Sequence, residues 1–483
     1  MDSLSNEIIV MTFSYLVIFD EPRQPEEQPQ LTSSSKRAIY SIRRVNRRFC
    51  HLVHEHFAKV IEQKPVRLME ADLDMLEYIT RDEAIYTRMT TCIFSTVFPF
   101  PQILPDGHEI LQHQRNNWHE ISESMVREAC AAATEYNNLA RKQLQFNHSI
   151  VQYLTGIFKR LHNLKVVATE NTNECVVRVP RRLKYFINEF IMLSLDTLKN
   201  GQMSAERDHL VLSAIISALH DADRKPVRVL FAEVLTGLLQ MPNNRWQLPK
   251  LPSVTTLSVA PSILFQDDYE TANEEELSRM KQIMHRFWTK FPSVVNLQLC
   301  IDDEINLTYF QPLMPRTSSP TYPNLTMLQI SGPMQGFLGN YITNDTGFMA
   351  TIVEHCCPSL RHLRLFMHSN YGEDGEGGPS QVLSGLIVDL SDFPNILLQT
   401  LYVQIEYYEH STDLLEDFIG TILARRRFAH RSFLCVQDVH GTHEETEFEV
   451  LHAEELGMEE SKELWQPERI VLEDSQQGRF SVV

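Results

Sequence analysis

Histidines and cysteines gather at two points in this chain. Cys50-His51-Leu52-Val53-His54-Glu55-His56 places His51 and His54 three residues apart, on one face of any helix they share. Such a pair could offer two imidazoles to a metal, but a tetrahedral site also needs convergent thiolates or a His-Glu-x-x-His helix. Neither pattern is present, so packed or solvated histidines are the expectation here. His355-Cys356-Cys357 with His362 straddles the end of a predicted helix and the start of a predicted strand, which keeps its ligands apart. Gly372–Gly378 is glycine-rich, yet Glu373, Asp374 and Glu376 would repel a phosphate, and no Gly-Lys-Ser/Thr follows. The spacing of those carboxylates is not that of an EF-hand. No Gly-x-Ser-x-Gly elbow exposes a nucleophile. The reading is no catalytic site, no metal and no cofactor.

Composition narrows the remaining classes. Of 483 residues, 43% are hydrophobic and 22% charged, enough for a folded core. A formal charge of −19 opposes a nucleic-acid binder. The charge is also uneven. Lys36, Arg37, Arg43, Arg44, Arg47, Arg48, Lys59, Lys64 and Arg67 face only Glu55 and Glu62 in their stretch, whereas glutamates crowd the chain beyond Gln437. Separate interaction surfaces explain that asymmetry better than a charged active site. The eight cysteines contain no Cys-x-x-Cys pair and suggest a reducing compartment. The runs near Phe190–Leu198 and Leu210–Leu219 are too short to span a bilayer. Ile8–Phe19 follows Asp2 and Glu7 instead of a basic region. An intracellular soluble protein is expected, with no membrane partner.

The elements that would carry a surface begin at the N-terminus. Leu4, Ile8, Ile9, Phe13 and Leu16 recur at helical spacing, as do Ile39, Ile42, Val45, Phe49, Leu52 and Val53. The first helix should start near Ser5 or Asn6, with Glu7 in its first turn. A second is expected from about Lys36 to Val60, ending before Pro65. Between them, three prolines and three consecutive serines predict a disordered insert over residues 17–37.

Leu4-Ser-Asn-Glu-Ile-Ile9, Phe13-Ser-Tyr-Leu16 and Ile42-Arg-Arg-Val-Asn-Arg-Arg-Phe49-x-x-Leu52 together resemble an F-box. The family pattern opens Leu-Pro-x-Glu-Ile, continues Phe-x-Tyr-Leu and closes Leu-Arg-x-Val-x-Arg-Arg-Phe-x-x-Leu. Ser5 stands where the family carries proline, and the insert is longer than usual. The resemblance implies docking on a Skp-type adaptor and, through it, a cullin–RING ubiquitin ligase. Leu4, Ile8, Ile9, Phe13, Leu16, Ile42, Val45 and Phe49 would then supply the small helical core and the adaptor face together.

A repeat appears further along. Pro252-Ser-Val-x-x-Leu257-x-Val259 returns at Pro292, Pro323 and Pro358, and in stretched form from Pro394 to Leu401 and Val403. Leu161-x-x-Leu164-x-Val166 is a possible earlier copy without proline. Each unit ends in alternating apolar residues, the mark of a short strand. Glu274–Lys290, Gly347–Cys356 and Asp413–Arg427 read as intervening helices. Strand and helix recurring at such spacing imply parallel strands stacked as a solenoid. The Leu-x-x-Leu-x-Leu core resembles a leucine-rich repeat, though the closing Asn is missing. An ordinary α/β domain with five parallel strands is the competing arrangement.

The expected fold class is therefore α/β, α+β overall. Residues 1–64 form a helical F-box-like domain, 65–225 a mainly helical connector and 226–440 a leucine-rich-repeat-like solenoid. Residues 441–483 make an acidic, partly disordered tail. The resemblance implies a non-catalytic substrate-recognition subunit of a Skp–cullin–F-box ligase. Its unknown protein substrate would lie on strand positions Gln298, Gln329, Arg364 and Gln404. A scaffold acting outside a ligase, or an enzyme with an unrecognised site in the α/β half, are the alternatives.

Overall fold

A computed structural model of the chain describes residues 5–19, 31–96, 131, 134, 138–170, 202–232, 248–260, 282, 286–300, 324–333, 359–368, 398–407, 429–438, 446–451, 471–474 and 479–482. Two compact units result. One comprises Met1–Met241 with Gln247–Leu251, the other Pro242–Trp246 with Pro252–Val483. Residues 1–64 and 65–225 belong to the same unit. Helices and parallel strands make the protein α/β overall.

The first unit opens with α1 (Asn6–Ser14), α2 (Ser33–Arg43), α3 (Arg47–Leu52) and α4 (His54–Glu62). The single helix expected over 36–60 is therefore three. Asn46 ends the first break by accepting the Phe49 N–H, and the chain turns again at Val53. The predicted insert is also shorter at both ends. Thr32 caps α2, so the three serines form its first turn, where a side-chain acceptor satisfies an otherwise orphan N–H. Leu31 is 1% exposed and pairs with Phe19 across an isolated antiparallel bridge. Composition missed this because one apolar residue and one cap outweigh a polar run.

Next come β1 (Val66–Arg67), α5 (Glu70–Ile79), α6 (Glu83–Tyr86) and β2 (Thr91–Ser95). Residues 138–146 are helical and lead through a 3-10 turn into the helix Ile150–Arg160. β3 (Val166–Glu170), the helix Gln202–Asp221 and β4 (Arg228–Ala232) follow. Within residues 65–225 the described residues are mostly helical, with β1 to β3 as short strands among them. β1 to β4 pair in parallel and in chain order, their short apolar runs having been hidden among longer helical periodicities. The expected helix at 184–199 lies outside the described residues.

In the second unit β5 (Thr256–Ala260), β6 (Asn296–Cys300), β7 (Met327–Pro333), β8 (His362–His368), β9 (Leu398–Tyr407) and β10 (Ala429–Asp438) also pair in parallel and in chain order. Leu257, Leu297, Leu328, Leu363 and Leu401 stand in one register row, and Val259, Leu299, Ile330, Leu365 and Val403 in the next. All ten are buried, which is the physical content of the repeat. Residues 286–288 are helical and bury Phe287 and Trp288. The helices expected at 347–356 and 413–427 lie outside the described residues.

Strands also lie within the acidic residues 441–483. β11 (Thr446–Leu451), β12 (Val471–Asp474) and β13 (Arg479–Val482) continue from β10 as antiparallel strands. Alternating Phe448 and Val450 lie within a run whose glutamates dominated its composition.

The starts of β6 to β9 repeat one device. The Thr255 carbonyl accepts N–H bonds from Val295 and Asn296 at 2.8 and 3.0 Å. Val295 does the same for Thr326 and Met327, Thr326 for Arg361 and His362, and Arg361 for Gln399 and Thr400. Thr90 and Lys165 serve the strand starts of the first unit likewise. By this pattern Leu164 matches Val254 and Val167 matches Leu257. The copy read at Leu161–Val166 is therefore real in kind but three residues out of frame.

Burial along these rows sets a test. Leu297→Ala and Leu363→Ala, at fully buried positions, should each cost about 2–5 kcal/mol. Val295→Ala, at a position 37% exposed, should stay within about 0.5 kcal/mol. Denaturant unfolding of the full chain, followed by circular dichroism, measures both. Equal shifts would contradict the inward assignment of the leucine row.

Candidate docking site

Helix α1 begins at Ser5, whose Oγ accepts the Ile8 N–H at 3.4 Å. A hydrogen bond from its own backbone N–H, and then the Ser5 hydroxyl, hold the Glu7 carboxyl below its usual range. Ser5 has φ −65°, the angle proline imposes, so its backbone already matches the family's residue.

Ile9 and Phe13, four residues apart, turn inward. They join Leu31, Ile39, Phe49, Val53 and Val60 in one core, with Ile42, Tyr40, Leu52 and Phe57 packed against it. Phe13 meets Phe49 edge-to-face at 5.4 Å between centroids. Such aromatic pairs contribute about 0.5–1.5 kcal/mol beyond their buried area. The Arg43 guanidinium lies 3.4 Å from the Phe57 centroid, a cation–π contact inside the cluster. Arg48 Nε donates to Asn6 Oδ1 at 2.9 Å and ties the first turn of α3 to that of α1.

The eight residues expected to serve core and partner together divide cleanly. Ile9, Phe13 and Phe49 are buried, and Ile42 is half-buried. Ile8, Leu16 and Val45 are 46%, 41% and 62% exposed. Leu4 lies outside the described residues. Met11 and Tyr15, which the sequence reading passed over, are 56% and 75% exposed. Their spacing from Ile8, i+3 and i+7, was the available signal, because it defines a second stripe on α1 opposite Ile9 and Phe13.

The adjoining structure holds the cluster's far end. The Glu62 carboxylate accepts from Thr90 N and Oγ1 and from Thr91 N, fastening α4 to the start of β2. Burial, with Glu62 nearby, pushes the Cys92 thiol up to about 12, so it is inert as a nucleophile. Arg67 and Asp72 pair at 3.1 Å, both buried.

The histidines are packing groups. His51 and His54 rings lie 5.0 Å apart edge-to-face, and Cys50 Sγ is 3.8 Å from His54 Nε2. Among the described residues no three His, Cys, Asp or Glu side chains gather to hold a metal. His362 Nδ1 meets Thr400 Oγ1 at 2.9 Å across β8 and β9. His355, Cys356, Cys357 and residues 372–378 lie outside the described residues. No helix of the described residues is long and apolar enough to cross a membrane.

Of the expected substrate positions, Gln298, Gln329 and Arg364 form one register row, continued by Ser258 and Tyr402. Gln404 pairs instead with Phe366, two residues further along its strand. Gln298 and Gln329 are only 8% and 6% exposed. Arg364 and Tyr402 are half-buried.

No protein-family profile matches this chain, and neither does any curated protein sequence. The class defined by fold is an α/β protein with an N-terminal helical cluster that exposes an apolar stripe.

Two tests follow from this geometry. Removing the α3 cap with Asn46→Ala should cost about 1 kcal/mol, whereas Ser5→Pro should change stability by less than about 1 kcal/mol. Thermal melts compare the two, and a large loss for Ser5→Pro would contradict the extended backbone at that residue. The second concerns pH. Burial lowers the His54 imidazole against a weaker upward pull from Asp82, with Arg43, His51 and Arg88 adding to the fall. Burial lowers His56 too. Both are held neutral in the fold, so the unfolded chain takes up protons first. Stability should therefore fall as pH drops below about 6.5, until the lowered folded values are passed. His54→Gln with His56→Gln should flatten melting temperature between about pH 6.5 and 5. An unchanged slope would refute the assignment.

Proposed function

We propose that the chain is a non-catalytic adaptor of the F-box kind, docking a Skp-type protein through α1 and the α2–α3 turn. The second unit, read as a leucine-rich-repeat-like solenoid, would present a protein substrate to the ligase. The observation that carries this reading is the exposed stripe Ile8, Met11 and Tyr15 with Val45, on elements whose opposite faces form a packed core. Leaving several large apolar side chains in water is unfavourable, and such a patch marks an interaction surface. The residues that the F-box resemblance names fall on both sides of this division. A docking helix needs just that: an inner stripe to hold it and an outer one to offer. The parallel strands in chain order, with their recurring entry carbonyl, support the repeat reading. A multisubunit ligase containing this protein would use catalytic groups from its other subunits.

Co-precipitation of a Skp-type adaptor by the full chain tests the proposal. Binding should vanish without residues 1–60. Met11→Asp should weaken it about thirtyfold, the loss of one central anchor worth about 2 kcal/mol. Circular dichroism should show that variant folded, since Met11 is exposed. Absence of adaptor binding by the intact chain at micromolar concentration would sink the reading.

A further inference from the structure

Resting on the docking reading above, we propose that the partner surface covering Ile8, Met11, Tyr15 and Val45 is rimmed by carboxylates that pair with Arg37, Arg44 and Arg47. In a chain of net charge −19, the described residues of the helical cluster are locally basic. Much of that charge is already engaged. Arg43 stacks on Phe57, Lys59 on Phe19 and Lys64 on Tyr40, while Arg67 pairs with Asp72.

Arg37, Arg44 and Arg47 are exposed, and none makes an ion pair among the described residues. Arg37 on α2 and Arg44 at its C-cap are seven residues apart, on the side turned away from buried Ser35 and Ile39. Arg44 and Arg47 flank Val45, which is 62% exposed. The Asn6–Arg48 hydrogen bond brings the first turn of α1 to this same end of the cluster. Among the described residues of the cluster, the three carboxylates are engaged elsewhere. Glu62 is taken by Thr90 and Thr91, while Glu7 and Glu55 occupy the first turns of α1 and α4, where they face helix N-termini.

An apolar centre with a cationic rim fits a protein groove lined by apolar residues and edged by Asp and Glu. A polyanion alone would leave the stripe uncovered, which disfavours nucleic acid as the occupant. Rim charges act mainly on the rate of encounter, and salt screens them.

Stopped-flow association of the full chain with a Skp-type adaptor provides the test. Raising salt from about 50 to about 500 mM should slow association about tenfold and leave dissociation within about threefold. The triple variant R37E/R44E/R47E should associate about tenfold more slowly at low salt and lose the salt dependence. Its circular dichroism and melting temperature, with R44Q/R47Q as a milder second variant, separate a charge effect from misfolding. Wild-type rates in the triple variant, with Met11→Asp still weakening binding, overturn the acidic rim while the docking reading survives. RNA binding that the triple variant loses, alongside unchanged adaptor association, overturns it too. Absence of adaptor binding by the wild-type chain removes both readings.

Discussion

A single carbonyl that serves two amides recurs at six of the parallel strand junctions of this protein. Thr255, Val295, Thr326 and Arg361 each hold the N–H groups of two consecutive residues in the following strand, at distances between 2.6 and 3.1 Å. Because side chains alternate along a strand, a slip of one residue would put Gln298 or Arg364 on the sheet face that Leu297 or Leu363 now occupies. The paired bonds oppose such a slip at the point where each strand enters. Burial of the leucine rows then rewards the register chosen. Thr90 and Lys165 apply the same device in the first unit.

The helical cluster is built on a different constraint. Short helices contribute little stability alone, so α1 depends on placing Ile9 and Phe13 against Leu31, Ile39 and Phe49. Nine residues supply two apolar stripes, and only one can face that core. The other, with Met11 and Tyr15, stays in water unless a partner covers it. Surface and core are two sides of one sequence pattern. Polar anchors fix the cluster's ends: Asn46 caps α3, Gln63 receives the Leu31 N–H, and Glu62 binds the start of β2.

Several elements were legible before any coordinates. Alternating leucines after Pro252, Pro292, Pro323 and Pro358 announced buried strands, since a period of two identifies a sheet face without knowledge of neighbours. The start of α1 at Ser5 was equally plain, because capping is a local event. Elements whose signal was short were missed. β1 holds two residues, and β2 and β3 five each, too few for periodicity to separate them from helix. Glutamates around β11 masked its alternation, and the frame of the copy at Leu164 depended on a backbone bond that side-chain spacing does not encode.

By itself, then, the amino-acid order determined which residues are apolar, at what period, and where caps can sit: local properties of the chain. It also carried the resemblance of residues 4–52 to an F-box. Only tertiary structure decided that Ile9, Phe13 and Phe49 face inward while Ile8, Met11, Tyr15 and Val45 face water, because several faces of a short helix carry apolar side chains. It likewise decided that Gln298 and Gln329 are covered despite their polarity, and that Leu31, inside a polar run, belongs to the core. Which side of an element is buried depends on what packs against it, and that information is spread over residues far apart in sequence.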